Sequence, residues 1–342
     1  MYEIKQYKKM GACCPLERLK IYNAKIITPY IVIDNGTVLI EKGIISEVKN
    51  GDIRCEDCVS IDAKGNYLAP GFVDIHTHGG GGHDFMDGTV EAYLEAAKTH
   101  AKYGTTSLVP TTLTSTDDEL KNTFDTFCKA KSTNCDGANL LGLHLEGPYF
   151  SIAQKGAQDP RYIKNPTKED YNRILSWSDD IIRWSAAPEL NGAFEFAAEI
   201  SKKGILPSIA HTDAVYEQVL RGFESGFTHI THLYSGMSTV QRINAYRYAG
   251  VVESAYLIDE MTVEIIADGI HLPSSLLKFV CKFKGTDKIA LVTDSMRGAG
   301  MGEGESILGS LKDGQRVVIE DGVAKLLDRT AFAGSVATAD RL

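Results

Sequence analysis

The chain has 342 residues, 43% of them hydrophobic, with a formal net charge of −9. That length and apolar content support a sizeable core, and the acidic balance argues against a nucleic-acid surface. No apolar run reaches the roughly 18 residues of a membrane span, and the opening MYEIKQYKKM lacks the apolar stretch of a secretory signal.

The seven cysteines are odd in number and scattered. Cys55-x-x-Cys58 has no second pair and reads as reduced thiols in a loop, and Cys13-Cys14 carries no signal. The set fits a cytoplasmic location. Length alone suggests two domains, although barrels of this size commonly run as one.

Residues 1–66 read as a small all-β domain of the sandwich type. Strands are expected at Ile21–Ile27, Thr37–Glu41, Ile44–Val48 and Val59–Asp62, with Lys42-Gly43 as a hairpin turn. From Tyr67 onward the pattern becomes strand then helix, repeatedly.

Strand one ends in Phe72-Val73-Asp74-Ile75-His76-Thr77-His78, and a helix follows over about Val90–Tyr103. Side chains two apart on a strand point the same way, so His76 and His78 would aim two imidazoles at one point. Gly79 to Gly82 would let backbone pass close to an ion or substrate, and with no Gly-Lys-Ser/Thr behind it the run is no P-loop.

Strand two is Thr106–Pro110 with a helix over Asp117–Lys131, and strand three is Leu140–Leu145, ending in Glu146. After a long loop come a helix over Lys168–Ser176 and strand four, Ile182–Ala187, ending at Glu189. A helix over Gly192–Lys203 leads to strand five, Leu206–Ala210, ending in His211. Asp213 reads as the N-cap of a helix running to Ser225. Strand six is Thr228–Thr231, ending in His232, and a broken helical region runs on to Ile258. Strand seven, Thr262–Ala267, leads to His271, a helix covers Pro273–Phe283, and strand eight, Lys288–Thr293, ends in Asp294.

Eight strands at this spacing imply a parallel (β/α)8 barrel over residues 67–342, whose chemistry sits at the C-terminal strand ends. His76, His78, Glu146, His211, His232, His271 and Asp294 all fall there. One such histidine is most often a satisfied polar residue; the set together would crowd one pocket with polar groups that need partners. Nitrogen and carboxylate ligands without cysteine suit zinc, iron, manganese or cobalt. A metal there would lower the pKa of bound water and polarise a carbonyl, with Asp294 as proton shuttle.

His144 should share the face of Glu146 as a supporting residue. His83, His100 and His229 read as structural or surface residues. Arg242 and Arg247 lie in the loop after strand six on the active face, where such a pair could clamp a phosphate. Beyond Asp294 a flexible glycine loop and hairpins at Asp313-Gly314 and Asp321-Gly322 are expected. The chain stops at Leu342 where an eighth helix should begin, which reads as a fragment or an unusually short version.

These residues resemble a known family. Pro70-Gly71-Phe72-Val73-Asp74-Ile75-His76-Thr77-His78 is similar to the opening motif of the amidohydrolase superfamily. Leu143-His144-Leu145-Glu146-Gly147-Pro148, Ala210-His211-Thr212, Thr231-His232-Leu233-Tyr234, Ala267-Asp268-Gly269-Ile270-His271 and Val292-Thr293-Asp294-Ser295-Met296 resemble the N-acetylglucosamine-6-phosphate deacetylase family within it. The resemblance runs from about Tyr22 to the last residue.

The resemblance implies a divalent metal, one or two per chain. Glu146, His211 and His232 would hold the common ion; His76 and His78, with Asp294, would build a second position. His271 would contact the sugar, Ala333-Gly334-Ser335 would lie over it, and Gln158 would stand on the substrate side. It implies metal-bound hydroxide attacking the acetyl group of an amino sugar phosphate, with Asp294 protonating the departing amine. Members of the family are commonly homodimers. Its C-terminal strands, which complete the small β domain, are expected to be absent here.

Two departures stand out. The family's Asn-Ala-Met after strand six, whose Asn-Ala pair helps hold the sugar phosphate, is Ser235-Gly236-Met237, and its Arg-Glu-Pro-Gly is Arg247-Tyr248-Ala249-Gly250, with Arg242 a rival phosphate ligand. An amidohydrolase for another acetylated sugar or a cyclic amide is therefore the first alternative. Cyclic-amide members that use a carboxylated lysine on strand four find Glu189 here and no lysine. A catalytically dead sugar-phosphate sensor is the second alternative, against which the intact acid/base and metal set argues.

Overall fold

The computed structural model describes residues 17–342. Cys13, Cys14 and the opening MYEIKQYKKM fall outside the described residues. The chain divides between Gly71 and Phe72 into two compact units.

The first unit is a small sheet. Arg18–Ile27 pairs antiparallel with Val32–Glu41, which pairs antiparallel with Ile44–Asn50. Val59–Asp62 and Tyr67–Leu68 add in parallel to the first strand. Lys42 and Gly43 both take positive φ, 50° and 80°, the mirror-image turn whose twist matches the strands it joins. Ala24, Ile26 and Val38 form its core. Cys55 and Cys58 are free thiols in the loop between Asn50 and Val59.

The second unit is the barrel. Its strands are Phe72–Thr77, Thr105–Thr112, Leu143–Glu146, Ile181–Ala186, Leu206–Ile209, His229–Ile230, Thr262–Ile265 and Ile289–Leu291. Neighbours pair in parallel from the first to the eighth. Backbone bonds from Asp294 N to His76 O, 2.9 Å, and from His78 N to Ser295 O, 2.8 Å, join the last to the first. Helices Val90–Lys102, Asp117–Thr133, Lys168–Leu175, Ala193–Lys202, Tyr216–Glu224, Val251–Leu257 and Ser274–Lys284 follow strands one to seven.

Local chemistry sets these helices in place. Thr116 caps one with Glu119 bonding back, and Thr89 and Thr167 cap two more. Their inner faces join strand residues such as Leu108, Leu143, Trp184 and Val263 in one buried cluster. Burying each large apolar side chain contributes about 1.5–3 kcal/mol. The Trp184 indole also donates to Gly147 O at 2.8 Å, which ties strand four to the residue after Glu146.

Three local expectations are corrected. The region after strand six is not broken helix: Gln241–Ile243 and Tyr246–Tyr248 form an antiparallel hairpin before the helix at Val251. Asn244 and Ala245 turn it at φ 50° and 71°, and the missing glycine hid the turn. Asp213 is not a helix N-cap. Glu189 accepts from Thr212 Oγ1 and from Asp213 N, both at 2.6 Å, so the helix starts at Tyr216 with Val215 before it. Strand three is split into Asn139–Leu140 and Leu143–Glu146, with Leu141 N bonded back to Leu108 O at 3.0 Å and Leu143 N bonded forward to Asp180 O at 2.8 Å.

After strand eight comes a four-stranded antiparallel sheet, Gly304–Leu308, Gln315–Glu320, Val323–Leu326 and Phe332–Ser335. The Asp313-Gly314 and Asp321-Gly322 pairs sit in its connections as expected. Ser335 N donates to Asp294 O at 2.8 Å, which fastens the last strand of this sheet over the barrel mouth.

Candidate metal centre

The polar residues at the strand ends converge in one cleft of about 280 Å³. His78, Glu146, His211, His232 and Asp294 line it, with Gln158, Tyr234, Ser235, Gly236, His271, Phe332 and Gly334 on its walls. His76 lies fully buried directly beneath them.

Glu146 is the hub. Its Oε1 lies 3.6 Å from His76 Nε2, 3.3 Å from His211 Nε2 and 3.0 Å from His232 Nε2. Its Oε2 lies 3.4 Å from His78 Nε2 and accepts from Gln158 Nε2 at 2.8 Å. Asp294 Oδ1 stands 3.3 Å from His76 Nε2 and 3.2 Å from His78 Nε2. The ligand atoms form two triads sharing Glu146: His76, His78, Glu146 and Glu146, His211, His232.

The proton positions follow from the partners. A carbonyl or ionised carboxylate only accepts, so a ring nitrogen bonded to one carries the hydrogen. His76 Nδ1 donates to Glu264 Oε1 at 2.6 Å and His211 Nδ1 donates to Gln154 O at 2.9 Å. A neutral ring with its hydrogen on Nδ1 presents a bare Nε2 lone pair to the centre, and for His211 the Nδ1 bond is shorter than the 3.3 Å from Nε2 to Glu146 Oε1. Among the described residues, the buried His76 Nε2 has no hydrogen-bond partner. A buried lone pair without a donor, in a ring of imidazoles and carboxylates, fits a divalent cation.

Three of these residues hold the left-handed backbone region that non-glycine residues seldom adopt: His211 at φ 45°, His232 at 28° and Asp294 at 46°. Each costs about 1–2 kcal/mol. Backbone bonds hold them there, from Ser151 N to His211 O and from Ser335 N to Asp294 O, each 2.8 Å. Such outliers gather where surrounding structure over-determines a functional geometry.

The electrostatics agree with a cation site. Burial would raise the Glu146 pKa, yet His76, His211 and His232 hold it well below the usual carboxylate value. Asp294 is likewise kept low against its own burial by His76 and His78. Burial opposes protonation of His78, but Asp294 and Glu146 beside it raise its pKa well above the ordinary value. His144 goes the other way: burial, with Arg183 and His76 nearby, holds it well below. It is a neutral bridge from Thr111 Oγ1, 3.2 Å, to Ser185 Oγ, 2.7 Å.

Other expected site residues divide. His271 Nδ1 donates to Asp268 Oδ2 at 2.7 Å, and its ring packs 4.8 Å from the Phe332 ring. Ala333 and Ser335 are buried behind the wall that Gly334 faces, and Ser335 Oγ donates to Thr293 O. Arg242 and Arg247 sit opposite each other on the exposed hairpin and do not line the cleft.

The strand-end pattern does not single out Glu264 and Arg183. Both are buried, and Arg183 Nη1 bonds Glu264 Oε2 at 2.6 Å inside the barrel. Against the effect of burial, Arg183 and His76 hold the Glu264 pKa well below the ordinary value. Their signal was a pair of opposite charges inside strands otherwise buried on both sides.

Comparison with known proteins agrees with this geometry. The Amidohydrolase family profile matches residues 67–322. An N-acetylglucosamine-6-phosphate deacetylase of Bacillus subtilis (strain 168) is 34% identical over 325 residues, 94% of this chain and 80% of its own length. An N-acetylgalactosamine-6-phosphate deacetylase of Escherichia coli O157:H7 is 27% identical, over 92% of this chain and 80% of its own length. The crystal structure of N-acetylglucosamine-6-phosphate deacetylase from Pasteurella multocida superposes with a TM-score of 0.84 at 30% identity, over 94% of this chain and 82% of that one. From the strand-end ligands to these matches, everything converges: the chain belongs to the amidohydrolase family, in its N-acetylglucosamine-6-phosphate deacetylase branch.

Proposed function

We propose that this chain hydrolyses the acetamide of N-acetylglucosamine 6-phosphate, releasing acetate and glucosamine 6-phosphate. The observation that carries this reading is the pair of ligand triads sharing Glu146, with Asp294 beside them, in a chain of this branch. His76, His78, Glu146, His211 and His232 would hold a divalent cation, whose chemistry there is Lewis-acid: a polarised acetyl carbonyl and a lowered pKa for water.

The remaining steps belong to the protein's own groups. Asp294, ionised and within 3.3 Å of both His76 and His78, is placed to take a proton from the attacking water. It then returns that proton to the amide nitrogen as the carbon–nitrogen bond breaks. Water oxygen ends on acetate, and the sugar leaves as its amine. Asp268 fixes the His271 ring, so that the opposite nitrogen faces the cleft as a contact for the sugar. Gln158 holds Glu146 Oε2 from the substrate side.

A second reading concerns the sugar alone. The relative that acts on N-acetylgalactosamine 6-phosphate keeps 27% identity over 92% of this chain, and Ser235-Gly236 forms part of the cleft wall. The test is kcat/KM of the metal-loaded protein on the two acetylated sugar phosphates and on unphosphorylated N-acetylglucosamine. The proposal expects preference for N-acetylglucosamine 6-phosphate over both. A preference for the galacto epimer, or for the unphosphorylated sugar, would overturn the substrate assignment.

A further inference from the structure

Glu264 lies in the middle of strand seven, fully buried, and takes no place in the reaction just described. We infer that it is a positioning residue of the metal centre, where one carboxylate oxygen holds a ligand from each of the two triads. The inference rests on the metal-hydrolase reading of the cleft.

Glu264 Oε1 accepts from His76 Nδ1 at 2.6 Å and from the backbone N–H of His232 at 3.1 Å. His76 belongs to the triad with His78, and His232 to the triad with His211. The first bond fixes a ring: with the proton on Nδ1, the Nε2 lone pair of His76 must face the centre. The second fixes a backbone: His232 sits at φ 28°, and that turn is held by the bond from its own N to Glu264 Oε1 and by a bond from Leu233 N to the Glu264 backbone carbonyl at 2.8 Å. Both half-sites therefore take their geometry from one residue.

The charge is held as firmly as the ligands. Arg183 Nη1 donates to Glu264 Oε2 at 2.6 Å. Its other nitrogens donate to Ser208 Oγ, 2.9 Å, and Thr231 Oγ1, 2.8 Å. All of these groups are buried, so leaving one of them without its partner is costly.

The test titrates metal-stripped protein with Zn²⁺ against a chromophoric chelator, and records the visible spectrum of the Co²⁺ form. Glu264→Gln is expected to weaken Zn²⁺ binding about 10- to 100-fold and to shift the Co²⁺ bands. Ser208→Ala removes an Arg183 contact but leaves both Glu264 bonds. It is expected to lower the unfolding midpoint while leaving affinity and spectrum as in the parent. If Glu264→Gln fails to fold because Arg183 is left buried and unpaired, the double variant Glu264→Gln, Arg183→Met removes both charges and carries the same expectation. A folded variant with unchanged affinity and an unchanged Co²⁺ spectrum would overturn the role of Glu264. A parent protein that binds no Zn²⁺ would instead overturn the metal reading itself.

Discussion

The side-chain amide of Gln158 donates to Glu146 Oε2 at 2.8 Å while its oxygen accepts from Thr114 N at 2.9 Å. The amide cannot rotate without losing both bonds, so it fixes the carboxylate shared by the two triads. Gln158→Leu keeps the volume and removes both bonds. It should weaken metal binding about tenfold or more, read by chelator competition, with the fold intact by circular dichroism. Parent-like affinity would show that Glu146 is held without it.

Asp294 is the residue whose charge the reaction needs. Asparagine keeps its shape and tolerates φ 46° better than alanine would. Asp294→Asn should keep the fold and lower kcat by about 10²- to 10⁴-fold. Steady-state acetate release at saturating substrate checks it. A kcat close to the parent's would assign the proton transfers elsewhere.

Gly147 stands next to Glu146 at φ 98°, where a Cβ would fall 2.6 Å from Thr114 Cγ2 and 2.8 Å from the Phe150 ring. Gly147→Ala should cost at least about 1–2 kcal/mol from backbone strain alone, and the clash should displace Glu146. Thermal unfolding and Zn²⁺ affinity should both fall. A parent-like midpoint would mean that the loop relaxes freely.

His229 offers a pH test. Burial lowers its pKa, the Glu264 hydrogen bond opposes this, and nearby Arg183 lowers it further. The folded pKa thus lies below the ordinary value of about 6.5. As pH falls the unfolded chain takes the proton first, so this contribution to stability is complete above that value and is lost below it. As the pH is lowered below about 6.5, metal-stripped protein should therefore lose more unfolding midpoint than metal-stripped His229→Gln does. Equal slopes in parent and variant would contradict the assignment.

The barrel and most of its ligands were legible because catalytic residues of this fold sit where strands end, and strand ends are where the pattern breaks. His76, His78, Glu146, His211, His232 and Asp294 each close an apolar run, and the structure brings their polar atoms together. Glu264 and Arg183 were missed because they interrupt Thr262–Ile265 and Ile181–Ala186 from within, where a charge reads as an exposed position. Their bonds cross between strands, and no local spacing encodes them. The Gln241–Tyr248 hairpin was hidden for a different reason. Its turn uses Asn244-Ala245 rather than a glycine pair, so the period of two was too short to recognise.

The most direct test of the whole account is acetate release from N-acetylglucosamine 6-phosphate by three preparations: metal-loaded parent, metal-stripped parent, and metal-loaded Asp294→Asn. The account predicts turnover in the first, loss in the second with recovery on adding Zn²⁺ or Co²⁺, and near-complete loss in the third. Undiminished release by the metal-stripped protein, or no release by a folded and metal-loaded parent, would contradict it.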